Sequence, residues 1–281
     1  MEPIRGAESG GWLRPLLDVS GREMHLVVPR GFPAYARVFH PARRDRPSGR
    51  DSGPATWTEV ARVFGKTMHP LAQYQRLIGP EVGQRHEVVD SSGWRYSEPE
   101  QGNLAAHILG PVATILCRNT TTPDAGVAAV WEGCGGFTSS AGYKPLTAFP
   151  GQHPPTVGKR KAARRSGSGL LPARVMKRSR LALPGRDHIL FAAAPRIFTD
   201  AEWVQDAPWN SAPQWPQSPS LLWPEDRAWV MVTEIDFDST IIAGSPDLVA
   251  ELIAEPRIEA LQIREGACLT EDADDENRPD A

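Results

Sequence analysis

Cysteine is scarce in this sequence: Cys117, Cys134 and Cys268 are far apart, and they form neither a CxxC pair nor a zinc-ligand spacing. Long apolar runs are missing too. No stretch approaches the roughly 18 residues that a membrane helix needs. The opening residues, MEPIRGAESGGWLRPLL, carry no basic segment followed by an apolar core, so no signal peptide is expected. An odd, unpaired set of thiols without an export signal leads to the expectation of a reducing, cytoplasmic setting. A large net charge is also lacking. The formal value is −3, which argues against a dedicated nucleic-acid binder.

Catalytic signatures are absent as well. There is no GxSxG, no GxGxxG after a strand and no HExxH. Gly65-Lys66-Thr67 resembles the end of a phosphate-binding loop, but Val60 stands where the first glycine is required. The triplet also ends a helix instead of opening one, so helix amides would not face a phosphate. Cys134 in WEGCGGF lies on a glycine-rich turn, and no neighbouring base marks it as a nucleophile.

What is present is organised around Leu222 to Leu261. Trp229 to Ile235 is rich in β-branched and aromatic residues and predicts a strand. Asp236 to Ser239 breaks it, and Thr240-Ile241-Ile242 resumes an extended pattern. Ser245 then caps a helix with Pro246 at its first position, and Leu248, Val249, Leu252 and Ile253 form one apolar face. Upstream, strands are predicted over 24–28, 35–40, 127–131 and 188–192. Helices are predicted after the Thr56/Glu59 capping box, after Pro70, and over 104–115 with a kink at Pro111. Residues 42–55 read as a polar loop and 79–100 as irregular.

These elements predict an α+β fold: one domain with a mixed or mostly antiparallel sheet, several short helices and a long disordered insertion. The expected layout is a flexible segment over 1–23 and a domain built from 24–137 and 183–263. A basic, poorly ordered insertion occupies 138–182, and an acidic disordered tail 264–281. The expected core comprises Phe39, Trp57, Phe64, Ile108, Trp131, Leu190, Trp229, Met231, Ile235, Leu248 and Leu252.

Glu234, Asp236 and Asp238 recur at period two, which would turn all three carboxylates to one side of a strand. Oxygen ligands gathered in this way suit a divalent metal that polarises a phosphoryl oxygen or activates water. Under that reading Arg37 or Arg227 would meet a phosphate and His40 would serve as base. The alternative is a solvent-facing stripe ending in an Asp-rich turn. No cofactor is predicted otherwise.

Residues 203–224 carry Trp203, Trp209, Trp215 and Trp223 among prolines. Trp209 and Trp215 are the candidates for a protein-partner surface, because indoles are favoured at interfaces. The run from Lys159 to Arg180 holds nine basic residues and no acid. It reads either as a solvated insertion or as a salt-dependent, sequence-blind contact with nucleic acid. The functional expectation is a non-catalytic binding or protein-interaction module whose protein partner is unspecified. The alternative is a divalent-metal-dependent hydrolase acting on a phosphoester.

Five blocks occur together: VPRGFPAYARVFHPARR, TWTEVARVFGKTMHP, AAVWEGCGGF, LPGRDHILF and LLWPEDRAWVMVTEIDFDSTIIAGSPDLVAELI. They resemble a group of actinobacterial proteins that share these blocks in this order. The likeness spans most of the chain, apart from the region near 138–182 and both ends. No activity, cofactor or catalytic residue is established for that group, so the resemblance assigns no role. The LPGR turn with its following strand is also similar to an element of the Smi1/Knr4-like immunity proteins.

Overall fold

Strand β2, Ala34–Phe39, is buried at all six positions, which only a strand covered on both faces permits. The computed structural model describes residues 1–18, 24–46, 49, 51–79, 87–134, 137, 171–210 and 216–278. Within them β2 lies between β12, Ser239–Gly244, and β13, Ala260–Ile263, pairing antiparallel with both. The remaining strands of this sheet are β1 (Glu2–Pro3), β7 (Gly126–Trp131), β8 (Leu181–Leu183), β9 (Arg186–Ala192), β10 (Leu221–Pro224) and β11 (Val230–Val232). Their order is β1-β9-β7-β10-β11-β12-β2-β13, with β8 also on β9. Every pairing is antiparallel.

Alternation along the strands gives the sheet two apolar faces. Ala36, Val38, Ala128, Phe191, Met231 and Ile242 face helices α3, Ala106–Arg118, and α6, Pro246–Ala254. Ser245 caps α6 through the Leu248 amide, as its position before Pro246 predicts. Trp229 donates from Nε1 to the Leu116 carbonyl near the end of α3, locking helix to sheet. The opposite face carries Tyr35, Leu190, Leu221, Trp223, Val232 and Ile241. It is covered by a 3-10 helix over Glu8–Leu16, by Met24 and Val28, and by Ala267.

A smaller antiparallel sheet runs β4-β3-β6-β5, built from β3 (Ala42–Asp45), β4 (Ser52–Ala55), β5 (Glu87–Val89) and β6 (Arg95–Ser97). It packs with α1, Trp57–Val63, and α2, Tyr74–Ile78, around Phe39, Trp57, Tyr74 and Tyr96. Phe39 belongs to β2, so one core strand serves both sheets. The fold is therefore a single α+β domain with antiparallel sheets.

Several sequence expectations need correction. The strand predicted over Trp229–Ile235 ends at Val232, and residues 233–238 turn back, with the Phe237 amide on the Glu234 carbonyl. Met24–Val28 is not a strand: Met24–Leu26 forms a 3-10 turn whose Met24 carbonyl accepts from the Val28 amide. The polar stretches 42–55 and 79–100 contain β3 to β6. Cross-strand pairing outweighs their composition, and Arg95 grips Asp45 through two bonds of 2.8 Å.

The expected flexible start is packed over residues 1–18, since Leu13 is fully buried and the Ile4 amide bonds to Leu190. Residues 171–182 of the expected basic insertion are folded too. They hold helix α4, Ala173–Met176, with Leu171 and Val175 buried, and the start of β8. The acidic tail is anchored through Asp274 and Asn277, both buried. Residues 138–170 and 279–281 lie outside the described residues. Of the predicted core, Phe64, Trp131 and Ile235 are only half-buried, and the other eight are buried.

Candidate functional site

The turn that ends β11 puts Glu234, Asp236 and Asp238 on the wall of one cavity of about 860 Å3. Its other walls come from α2, from residues 98–101 after β6, from the β8–β9 turn, and from Leu269 and Thr270. The close seat of this turn depends on Gly102, which has φ +67 and lies so near Ile235 that a Cβ would approach its backbone to 2.5 Å. The Gly102 amide donates to the Phe237 carbonyl at 2.9 Å. The three acids thus share a cavity, but through a turn and not through strand parity.

Each acid meets an arginine. Arg186, at the start of β9, donates from Nε to Glu234 and from Nη2 to Asp236, and its guanidinium lies 5.2 Å from the Trp131 ring centroid. Arg37, on β2, is 1% exposed. Its Nε donates to Ser239 at 2.9 Å, its Nη1 to the Ala72 and Pro70 carbonyls at 2.9 and 3.1 Å, and its Nη2 to Asp238 at 3.4 Å. Phe39 and Trp57 lie within cation–π reach of it. Four acceptors and two rings therefore hold Arg37 in place, so its geometry is structural.

Burial pushes the Glu234 carboxyl above its usual range, against the pull of Arg186. Burial raises Asp238 in the same way, and Arg37 opposes it. Glu98 lines the same cavity and accepts from the Gln75 side chain.

His40 is not a base facing this cavity. It is 1% exposed, with Nδ1 at 2.7 Å from the Glu100 carbonyl and Nε2 at 2.9 Å from Thr240 Oγ1. Burial lowers its pKa to about 4. Both ring nitrogens are thus occupied in a hydrogen-bonded chain that continues from Thr240 to Thr233. Arg227 is elsewhere as well. It sits in the β10–β11 turn with φ 56, stacked over Trp12, at the opposite end of β11 from Glu234. It lines a shallower hollow with Ser9, Asp124 and Glu225.

Among the described residues, no group of three or more His, Cys, Asp and Glu side chains is gathered around a point that a cation would fill. The two arginines stand where positive charge is needed. Burial pushes the Cys134 thiol up to about 12, which disfavours the reactive thiolate.

Of the two tryptophan candidates, one lies among the described residues. Trp209 is 2% exposed, packs at 4.8 Å centroid distance on Phe191, and donates from Nε1 to the Gln217 carbonyl. It is core, because the segment folds inward as α5, Trp203–Asp206, and buries Trp203 beside it. Trp215 lies outside the described residues. Of the basic run, Arg178 bonds to the Pro3 and Ile4 carbonyls and Arg180 to Glu132, so two of its charges are used internally. Residues 159–170 of that run lie outside the described residues.

Sequence reasoning missed Arg186 and the contributions of Gln75, Glu98, Gln101 and Leu269. Arg186 was visible only as part of an LPGR turn, and nothing local links that turn to Glu234.

No protein-family model, no curated protein and no solved structure matches this chain. No helix among the described residues is long and apolar enough to cross a membrane.

Proposed function

We propose that this protein is a non-catalytic binding module whose ligand seats in the cavity between the 234–239 turn, α2 and the β8–β9 turn. The observation that carries this reading is the cavity itself. Its volume of about 860 Å3 falls in the range of small-ligand sites, and charged groups converge on it from four separate segments. The reading also rests on how the polar groups are used. The acids are paired with arginines, and His40 is sealed in the core. The divalent-metal hydrolase stands as the alternative and draws less support, because Arg186 already bridges the two carboxylates that would have to share a cation.

The test is a thermal-shift screen of small polar compounds on wild type and on Gln101→Trp. Gln101 lines the cavity from an exposed position, so an indole there fills space without disturbing the core. A compound that raises Tm in wild type and not in the variant supports the reading. Stabilisation of about 2.7 kcal/mol is expected at a ligand concentration one hundredfold above Kd. Equal shifts in both proteins, or none for any compound, would overturn it.

A further inference from the structure

We infer that residues 264–278 form a hinged strap at the rim of the cavity, latched to the α1–α2 linker by Asp274 and Asn277, and that release of the latch opens the site. The inference rests on the binding reading above for its purpose, whereas the motion itself belongs to the free chain.

The strap leaves the main sheet at the end of β13 and is fixed there. Glu265 accepts from the Gly31 amide at 2.7 Å and from the Tyr35 hydroxyl at 3.1 Å. The Ala267 carbonyl accepts from the Met24 amide at 3.0 Å, and Ala267 is fully buried. Among the described side chains that follow, the next to be buried are Asp274 and Asn277. Residues 268–273 bridge these two points as an arch. Leu269 and Thr270 of the arch line the cavity, and the Ala273 amide donates to the Thr270 carbonyl at 2.9 Å.

Side chains hold the far end. Asp274 accepts from the Gln73 amide at 3.0 Å and from His69 Nε2 at 2.8 Å. Asn277 accepts from the Thr67 amide and donates to the Thr67 carbonyl, both at 2.9 Å. These four bonds all go to the linker between α1 and α2. Arg37 grips the same linker through the Pro70 and Ala72 carbonyls, and its Nη2 continues to Asp238 on the cavity wall. Gln73, at the end of the linker, is itself a lining residue. Freeing Asp274 therefore unseats two parts of the rim together, the arch and the start of α2.

Burial separates this latch from the sheet. Strands β2 and β12 are buried at every position, so they open only when the whole fold does. No described side chain of 268–273 is buried, and the latch is made of polar bonds. Segments held in that way open locally, below the free energy of global unfolding. A ligand touching Leu269 or Thr270 would favour the closed strap, and the closed strap would favour the ligand by the same factor.

The experiment is amide exchange by NMR on the full chain without ligand, in wild type and Asn277→Ala. The reporters are the amides of Thr67, Gln73, Ala273 and Asn277, each hydrogen-bonded when the strap is closed. In wild type the four should share one protection factor, clearly below that of the bonded amides of β2 and β12. Thr67 loses its own acceptor in Asn277→Ala, so Gln73 and Ala273 carry the comparison. Both should exchange about tenfold faster, as the loss of one or two net hydrogen bonds gives, with the sheet unchanged. Entry is read from iodoacetamide alkylation of Phe237→Cys, a half-buried position on the cavity wall, followed by peptide mass spectrometry. Adding Asn277→Ala should quicken that labelling by a similar factor.

Reporters as protected as β2 in wild type would mean that the strap opens only on unfolding, and would overturn the inference even if Asn277→Ala does not fold. Faster exchange at Ala273 with Gln73 unchanged would overturn the shared latch. Labelling at 237 indifferent to Asn277→Ala would overturn the gating of the site. None of these outcomes bears on the thermal-shift screen, which decides the parent reading separately.

Discussion

Asp274 accepts a hydrogen bond from the Gln73 amide at 3.0 Å, so a carboxylate from the acidic end of the chain seats the start of α2. The same side chain receives His69 Nε2 at 2.8 Å and the Asn277 amide at 3.0 Å. It is fully buried, and those bonds hold its carboxyl below the usual range in spite of burial. Because α2 forms one wall of the cavity, this anchor bears on the site as well as on stability.

Asp274→Ala should therefore cost about 2–4 kcal/mol, the cost of orphaning buried donors. Urea denaturation would read this as a lower midpoint with an unchanged slope. Asp274→Asn keeps an acceptor and should lose less. If Asp274→Ala unfolds like wild type, the segment is a solvated tail after all.

Acid should destabilise the protein in a defined window. Burial holds both His40 and His188 at about 4, down from 6.5. A depressed histidine contributes stability that is complete above the unfolded value and is lost as pH falls from about 6.5 towards 4. Each displacement corresponds to about 3 kcal/mol. Glu234 and Asp238 act in the opposite sense, since raised carboxyls bind protons more readily in the folded state. Their effect offsets part of the acid loss and appears as stability lost with rising pH. Unfolding free energy measured from pH 7.5 to 4 should fall, and His40→Gln should fall less steeply over the same range. Parallel curves for the two proteins would refute this account of His40.

Trp209→Ala should destabilise by about 3–5 kcal/mol, as for a large core aromatic. It removes the contact with Phe191 and frees the Gln217 carbonyl. A Tm within a degree of wild type would mean that the indole covers no core and is available to a partner.

Arg37→Met should cost about 3–5 kcal/mol, because it leaves Asp238 partly buried without its counter-charge. Asp238→Asn in the same chain should restore part of the loss, so a double-mutant cycle by urea denaturation would show coupling. Additive losses would mean that the 3.4 Å contact contributes nothing. Arg37→Lys is not a conservative change, because one ammonium cannot reach Ser239, two carbonyls and Asp238 together.

Local signals in the sequence were sound where the physics is local. The Thr56–Glu59 capping box is formed, with both of its hydrogen bonds present. Ser245 and Pro246 open α6, and strands β2, β7 and β9 follow their apolar patterns to within one or two residues. The acids at 234, 236 and 238 were recognisable as a group, but their setting was not. Arg186 and Arg37 reach them from about 50 and 200 residues away, and such pairings leave no local trace. Composition misled for the same reason. Polar β3 to β6 exist because of cross-strand partners, and residues 264–278 pack because Glu265, Ala267 and Asp274 find partners in the body. Trp209 looked like a surface indole because prolines surround it, whereas the segment turns inward and fills the space beside Phe191.

Placing β2 between β12 and β13 has a kinetic side. His40 and Thr240, hydrogen-bonded in the native state, are 200 residues apart along the chain. A ribosome adding about 5–20 residues per second needs roughly 10–40 s to cover that distance. For this interval a strand that is buried at all six positions in the native state has neither neighbour to pair with. Closing the sheet therefore waits on a non-local pairing, the kind that slows folding.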